Sequence, residues 1–185
     1  MRSLVLASKS PRRKELLGLC NIPFTIDPSQ SEEVLDTSLP LPEGIAKLAY
    51  EKANEVFVRH PESLVLGSDT IVTIDGKVLG KPKDKEDCRH MMQLLSGRTH
   101  QVITGVCFIS KEEIYQYAEI ADVTFETMTE EEIEEYVSSQ EPYDKAGGYA
   151  LQGQAAIYSK EIKCDPYTII GLPVHSVYAF LKSKK

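Results

Sequence analysis

Tryptophan is absent from the 185 residues, and the four cysteines, Cys20, Cys88, Cys107 and Cys164, are widely scattered. Their spacing matches neither a zinc-ligand set nor a redox pair. Reduced, mostly buried thiols in a cytoplasmic protein are expected. No apolar run approaches the ~20 residues of a membrane span, and no signal peptide is read ahead of the first strand. Positive charge is in deficit, with 21 Lys and Arg against 28 Asp and Glu and a net charge of −7. Such a surface is a poor non-specific partner for nucleic acid or anionic membrane. The chain has no Gly-x-x-x-x-Gly-Lys-Ser/Thr loop and no Gly-x-Ser-x-Gly elbow, which excludes a P-loop site and a serine-hydrolase nucleophile of that type. His60, His90, His100 and His175 show no pairing that suggests zinc or a triad, so each reads as a surface or ordinary structural histidine. Repeats, low-complexity segments and Gly/Ser linkers are missing as well. A single domain over 1–185 is expected, long enough to bury about 70% of its unfolded surface without cross-links.

What the chain does have begins at its N-terminus. The apolar run Leu4-Val5-Leu6-Ala7 reads as a buried strand, and Ser8-Lys9-Ser10-Pro11-Arg12-Arg13 follows it directly. Ser10 suits a helix N-cap and Pro11 the first helical position, with Gly18 as a C-terminal stop. A helix N-terminus carries partial positive charge and favours acids. This one carries Lys9, Arg12, Arg13 and Lys14 instead. Free amides, serine hydroxyls and converging cations make a phosphate-binding site, the alternative being a solvated basic helix start.

Further along, 43–59 has helical periodicity, with Ile45, Leu48, Ala49, Ala53 and Val56 on one stripe. Lys52 falls on that stripe, either snorkelling to the surface or aimed into a cleft. A second buried strand over 62–67 ends in Gly67-Ser68-Asp69-Thr70, and Val72-Thr73-Ile74 leads into an Asp75-Gly76 hairpin. Asp84 caps a helix with Cys88, Met91, Met92 and Leu95 inward. Two long strands over 101–109 and 114–125 follow, then a Thr129/Glu132 capping box. The glutamates at 130–135 read as a solvated face. A polar, glycine-rich loop over 141–153 precedes two more strands and a final helix carrying Val174, Val177, Tyr178 and Leu181. Helices alternate with strands but hairpins interrupt them, which predicts α/β with a mixed sheet.

Asp69, placed by this reading just past the carboxyl end of a buried strand, sits where open α/β sheets bind ligands. A carboxylate there can hold a divalent cation or act as a base on water, or it merely caps a turn. Lys81 after the hairpin and the acidic pair Glu32-Glu33 complete a set of cations for phosphate and carboxylates for metal. Asp69→Asn is expected to leave the melting temperature unchanged or raised, by removing a repulsive acid from a cleft.

Ser8-Lys9-Ser10-Pro11-Arg12-Arg13, Gly67-Ser68-Asp69-Thr70, Gly80-Lys81-Pro82, Ser96-Gly97-Arg98-Thr99-His100, Glu141-Pro142-Tyr143-Asp144-Lys145-Ala146-Gly147-Gly148-Tyr149 and Gly171-Leu172-Pro173 occur in this order. With these motifs the chain resembles, from end to end, the Maf family of nucleoside triphosphate pyrophosphatases. The resemblance implies an elongated mixed α/β sheet with flanking helices and a central cleft, as in inosine triphosphate pyrophosphatases. It implies hydrolysis between the α and β phosphates with Mg2+ or Mn2+ as cofactor. It implies Asp69 as general base, Ser8, Arg13, Lys52 and Lys81 on the phosphates, and Glu33 with Asp69 at the metal, where Ser31-Glu32-Glu33 replaces the family's Asp-Glu and leaves Glu32 as the alternative. Arg12, Thr70 and Gln152 match the discriminating positions of the dTTP/UTP branch, and a homodimer is the implied assembly. Two other readings use the same residues: a nucleotidyltransferase, and a nucleotide-binding regulator of cell division.

Overall fold

A computed structural model of the protein describes residues 2–184. In chain order its elements are β1 (Leu4–Leu6), α1 (Pro11–Gly18), β2 (Phe24–Ile26), α2 (Leu41–Arg59), β3 (Leu64–Ile74), β4 (Lys77–Leu79), α3 (Lys85–Leu95), β5 (Thr99–Ile109), β6 (Ile114–Phe125), α4 (Glu130–Ser138), β7 (Ser159–Lys163), α5 (Pro166–Ile170) and α6 (Val174–Ser183). The strands join in one seven-stranded sheet in the order β2-β1-β3-β5-β6-β7, with β4 on β3. It is the mixed sheet the pattern predicts. β1 runs parallel to β2 and β3, while β4 is antiparallel to β3 and β7 to β6. No helix among the described residues is long and apolar enough to cross a membrane. The chain divides into two compact units, one of Met1–Thr70, Thr104–Glu119 and Gly171–Lys185, the other of Ile71–Ile103 and Ile120–Ile170.

In the first unit β1 is buried along its length, as its unbroken apolar run requires. It delivers the chain to α1, where Ser10 Oγ accepts the Arg13 N–H and a proline occupies the first turn, as expected. Such a cap is worth about 1 kcal/mol. α1 does end at Gly18, but the left-handed residue that turns the chain is Asn21 (φ 50°). β2 is only three residues long and half exposed, too short to carry a period. α2 buries Ile45, Leu48, Ala49, Ala53 and Val56 at 4% exposure or less. Ala49, Ala53 and Val56 pack on Val5, Ala7, Val65, Cys107 and Ile109 of the sheet.

β3 corrects the sequence reading. The expected break at Gly67-Ser68-Asp69-Thr70 is absent, and one 11-residue strand runs through it. The polar residues look like turn formers, but none of them has the positive φ of a turn residue. Gly67 serves a different purpose: a Cβ there would lie 2.4 Å from the Ala49 carbonyl oxygen, so the glycine lets α2 approach the strand. Asp69 is therefore a mid-strand residue, and the turn-cap reading falls.

In the second unit the end of β3 turns into β4 through Asp75 (φ 52°) and Gly76 (φ 74°), the paired left-handed geometry of a tight hairpin. Asp84 caps α3 by accepting the Asp87 N–H, and the Thr129/Glu132 capping box of α4 is formed in both directions. Cys88, Met91, Met92 and Leu95 meet Val123, Phe125, Ile133, Tyr136 and Val137 in this unit's core. The loop over 141–153 holds two 3₁₀ turns, and a third, Gln154–Tyr158, leads into β7. The second of the two late strands is replaced by α5. Asp165 accepts the Tyr167 N–H at 2.9 Å, and Pro166 pre-sets the first helical turn. In α6, Val177 and Leu181 face the core while Tyr178 is 40% exposed. Cys20, Cys88 and Cys107 are buried and Cys164 is exposed, all as free thiols.

Candidate active site

The first unit gathers a charged cluster where β1 and β3 run side by side. The parallel register Leu6↔Leu66 and the bond from the Ala7 N–H to the Leu66 carbonyl carry Ser8 forward beside Ser68. Ser8 is 8% exposed and its Oγ accepts the Ser10 N–H at 3.2 Å, tying the strand end to the start of α1. Arg13, in the first turns of α1, donates from Nε to the Gly171 carbonyl (2.8 Å) and from Nη2 to Thr70 Oγ1 (3.1 Å). Nη2 also lies 3.7 Å from Asp69 Oδ1. Burial lowers the pKa of the guanidinium, opposed by Asp69 and Glu33. An arginine stays charged regardless, so a positive group held out of water faces this site.

Lys52 resolves to the second of its two readings. Its side chain is 8% exposed, and Nζ donates to Glu33 Oε1 at 2.8 Å and lies 3.2 Å from Asp69 Oδ1. The apolar stripe of α2 thus brings an ammonium inward, and two carboxylates meet it. Asp69 is 14% exposed and also accepts the Thr70 N–H at 2.9 Å. Of the acidic pair, Glu33 is the one that reaches Lys52. Arg12 is half-buried on α1. Lys81 and Gln152 belong to the second unit, Lys81 exposed after β4 and Gln152 exposed in a turn before the 3₁₀ segment Gln154–Tyr158.

Three residues of the cluster are not among the site residues expected from the sequence. Gly171 has φ 121°, a conformation that favours glycine, and its carbonyl accepts from both Arg13 Nε and Ser68 Oγ. Thr104 is fully buried in β5 and its hydroxyl pairs with Thr70 Oγ1 at 2.8 Å. Ser68 is fully buried as well. The available signals were a polar residue inside the apolar run Val102-Ile103-Thr104-Gly105-Val106 and a Gly-Leu-Pro motif at 171–173.

The donor set suits a hard divalent cation. Asp69 and Glu33 already share one cation, the Lys52 ammonium, so their oxygens face a common point. Among the described residues no group of three or more His, Cys, Asp or Glu is placed to hold a metal. Two carboxylates, with the remaining positions filled by phosphate and water, is the usual magnesium arrangement.

The histidines carry none of this chemistry. His100 is 1% exposed, with its Nε2 2.6 Å from Tyr149 Oη and its ring edge-on to Phe125. Burial pushes its pKa down to about 4. His60 pairs with Asp27 near the surface.

Comparison with known proteins agrees with this picture. The Ham1 protein of Staphylococcus aureus shares the fold over all of both chains, with a TM-score of 0.57 at 12% identity. A HAM1 protein from Coxiella burnetii covers 99% of this chain and all of its own, with a TM-score of 0.51 at 15% identity. These likenesses concern the fold alone. In sequence, a protein of Bacillus cytotoxicus named dTTP/UTP pyrophosphatase is 47% identical over 98% of this chain and 95% of its own. A protein of the same name from Bacillus cereus is 45% identical over the same shares. The family model described as Maf-like protein matches residues 3–184, and the chain belongs to the Maf family.

Proposed function

We propose that this protein hydrolyses dTTP and UTP between the α and β phosphates, giving the monophosphate and pyrophosphate. The observation that carries the reading is the cluster of Asp69, Lys52, Arg13 and Glu33 in a Maf-family chain whose relatives bear the dTTP/UTP pyrophosphatase name. Ser8, Arg13, Lys52 and Lys81 hold the triphosphate and stabilise the charge that grows on the leaving pyrophosphate. Asp69 takes a proton from water as its oxygen bonds the α phosphorus. The bond from that phosphorus to the bridging oxygen breaks, and the electron pair leaves with pyrophosphate. No side chain forms a covalent intermediate.

Glu33 and Asp69 hold the divalent cation, magnesium or manganese, in this reading. When bound, the ion neutralises phosphate charge and withdraws electron density from phosphorus. Base choice falls to Arg12, Thr70 and Gln152. A glutamine amide offers one acceptor and two donors, enough to pair with both N3–H and O4 of uracil or thymine. The same reading places the protein in the cytoplasm as a homodimer that removes surplus or modified pyrimidine nucleotides; buried free thiols support the compartment, and sedimentation equilibrium tests the dimer.

A panel of nucleoside triphosphates with magnesium or manganese, read out for every product, tests the reaction. UTP and dTTP are expected to give monophosphate and pyrophosphate, and EDTA to stop the reaction. Orthophosphate and diphosphate as primary products would overturn the reading. Transfer of the nucleotidyl group to an acceptor would favour a transferase, and tight binding without turnover a regulator.

A further inference from the structure

We infer that Glu141 is a positioning residue for Gln152, fixing the turn that presents the Gln152 amide to the base. The inference rests on the proposed role of Gln152 in base choice.

The turn is held by a bond across it and by contacts just after it. At its closing end the Gly153 N–H donates to the Ala150 carbonyl at 3.1 Å, which leaves Leu151 and Gln152 as the two central residues. Immediately after it begins the 3₁₀ segment Gln154–Tyr158, whose cap position is Gly153, a residue with no side chain to satisfy the first amides. Glu141 supplies what is missing from 12 residues upstream. Its Oε2 accepts the Gln154 N–H at 2.8 Å, and its Oε1 lies 3.5 Å from the Ala155 nitrogen. The Tyr136 hydroxyl lies 3.3 Å from the same Oε1 on the side of the core, with its nearer acceptor the Gly148 carbonyl at 2.9 Å. A carboxylate at exposed amides of a helical turn is the favourable sign of charge.

Gly153 shows that this contact governs the loop. Its φ of −117° and ψ of −165° suit any residue. Yet a Cβ there would stand 2.1 Å from Glu141 Oε1, 2.5 Å from Cδ and 2.8 Å from Oε2. Its nearest obstacles all belong to one side chain. The glycine is there to admit the Glu141 carboxylate, and the residue that precedes it is Gln152. If Glu141 is withdrawn or pushed aside, the Gln154 and Ala155 amides lose their acceptor and the turn loses one of its two anchors.

Four variants, Glu141→Gln, Glu141→Ala, Gly153→Ala and Gln152→Ala, are assayed for kcat/KM on UTP and GTP, with pyrophosphate inhibition and melting temperature measured in parallel. A misplacement of ~1 Å can cost up to about 100-fold. The Glu141 and Gly153 variants are therefore expected to lower the preference for UTP over GTP by at least about tenfold, as Gln152→Ala does, with inhibition by pyrophosphate unchanged. Because Gly153→Ala acts through Glu141, combining it with Glu141→Ala is expected to lower the preference no further than either alone. A merely structural role would lower the melting temperature and leave base preference alone. If Gln152→Ala abolishes the preference while both Glu141 variants and Gly153→Ala retain it, Gln152 reads the base and the positioning role is wrong. If Gln152→Ala also retains it, the reading of Gln152 fails, and the inference with it.

Discussion

Lys52 and Asp69 carry the sharpest consequences of single-residue change. An ammonium 8% exposed meets two carboxylates, so each member depends on the others for its charge to be tolerable. Removing one partner of a buried pair leaves an uncompensated charge. Asp69→Asn is thus expected to lower the melting temperature, against the sequence-based expectation of no change or a rise, because Asp69 is paired with cations and not crowded by acids. Glu33 still accepts from Lys52, so the loss should stay within about 1–3 kcal/mol. Turnover should fall at least about 100-fold if Asp69 is the base. Steady-state hydrolysis with saturating magnesium, beside thermal unfolding, checks both, and near wild-type turnover would move the base elsewhere. Thr104→Val makes a subtler probe. It keeps the shape and deletes the hydroxyl bonded to Thr70, which in turn accepts from Arg13. A loss of about 1 kcal/mol, or roughly fivefold in kcat, is expected, with Thr104→Ser restoring it. Arg13, Lys52 and Asp69 could each be named from the sequence. Their convergence was legible only through the family resemblance; from the residues alone Lys52 lies on an apolar stripe where snorkelling is the commoner outcome, and Glu32 and Glu33 differ only in which one the loop turns toward Lys52.

At the scale of elements, α2 is the part on which the first unit depends. It supplies Lys52, and its backbone lies so close to two neighbouring strands that both need glycine at the contact. A Cβ on Gly67 of β3 would stand 2.4 Å from the Ala49 carbonyl oxygen, and one on Gly105 of β5 2.2 Å from that of Ile45. Both obstacles are backbone, so the helix must move as a body. Gly105→Ala is expected to cost roughly 3 kcal/mol, the upper part of the overpacking range. It should also reduce turnover, since displacing α2 displaces Lys52. Urea unfolding and hydrolysis rates together check this, and a variant with normal stability would mean that the helix yields. Helix α2 was legible because its stripe has an unmistakable period. Strand β3 was not, since Ser68, Asp69 and Thr70 look like loop residues until tertiary partners are known: the Gly171 carbonyl, Lys52 and Thr104 satisfy them inside the sheet. Strand β2 and helix α5 are shorter than the window over which any period can be counted.

For the molecule as a whole, a net charge of −7 surrounds a site built from cations, and that contrast should show in how the protein answers to pH. Two populations of titrating groups act in different windows. The Asp27, Asp36 and Glu134 carboxyls lie below their ordinary values, led by hydrogen bonds from Arg59, Lys47 and Arg89 respectively. Their contribution is complete above about pH 5 and is lost as pH falls through the lowered values. His100 acts earlier. Burial brings its pKa from 6.5 down to about 4. Above pH 6.5 the ring is neutral in folded and unfolded chains alike, and it adds no pH dependence. Between 6.5 and about 4 the unfolded chain takes up a proton that the folded one refuses, so stability falls as pH falls. The full loss is on the order of 3 kcal/mol. The charged ring would sit against Phe125 and Tyr149 with no acid among these contacts to receive it. Urea unfolding from pH 7 to pH 4 should therefore show a decline that begins well above the carboxylate range, and His100→Gln, whatever its own cost in stability, should flatten that decline while leaving the steeper loss below pH 4 in place. An unchanged slope in the variant would show that the ring opens to water before it titrates, and that another group sets the acid limit of the fold.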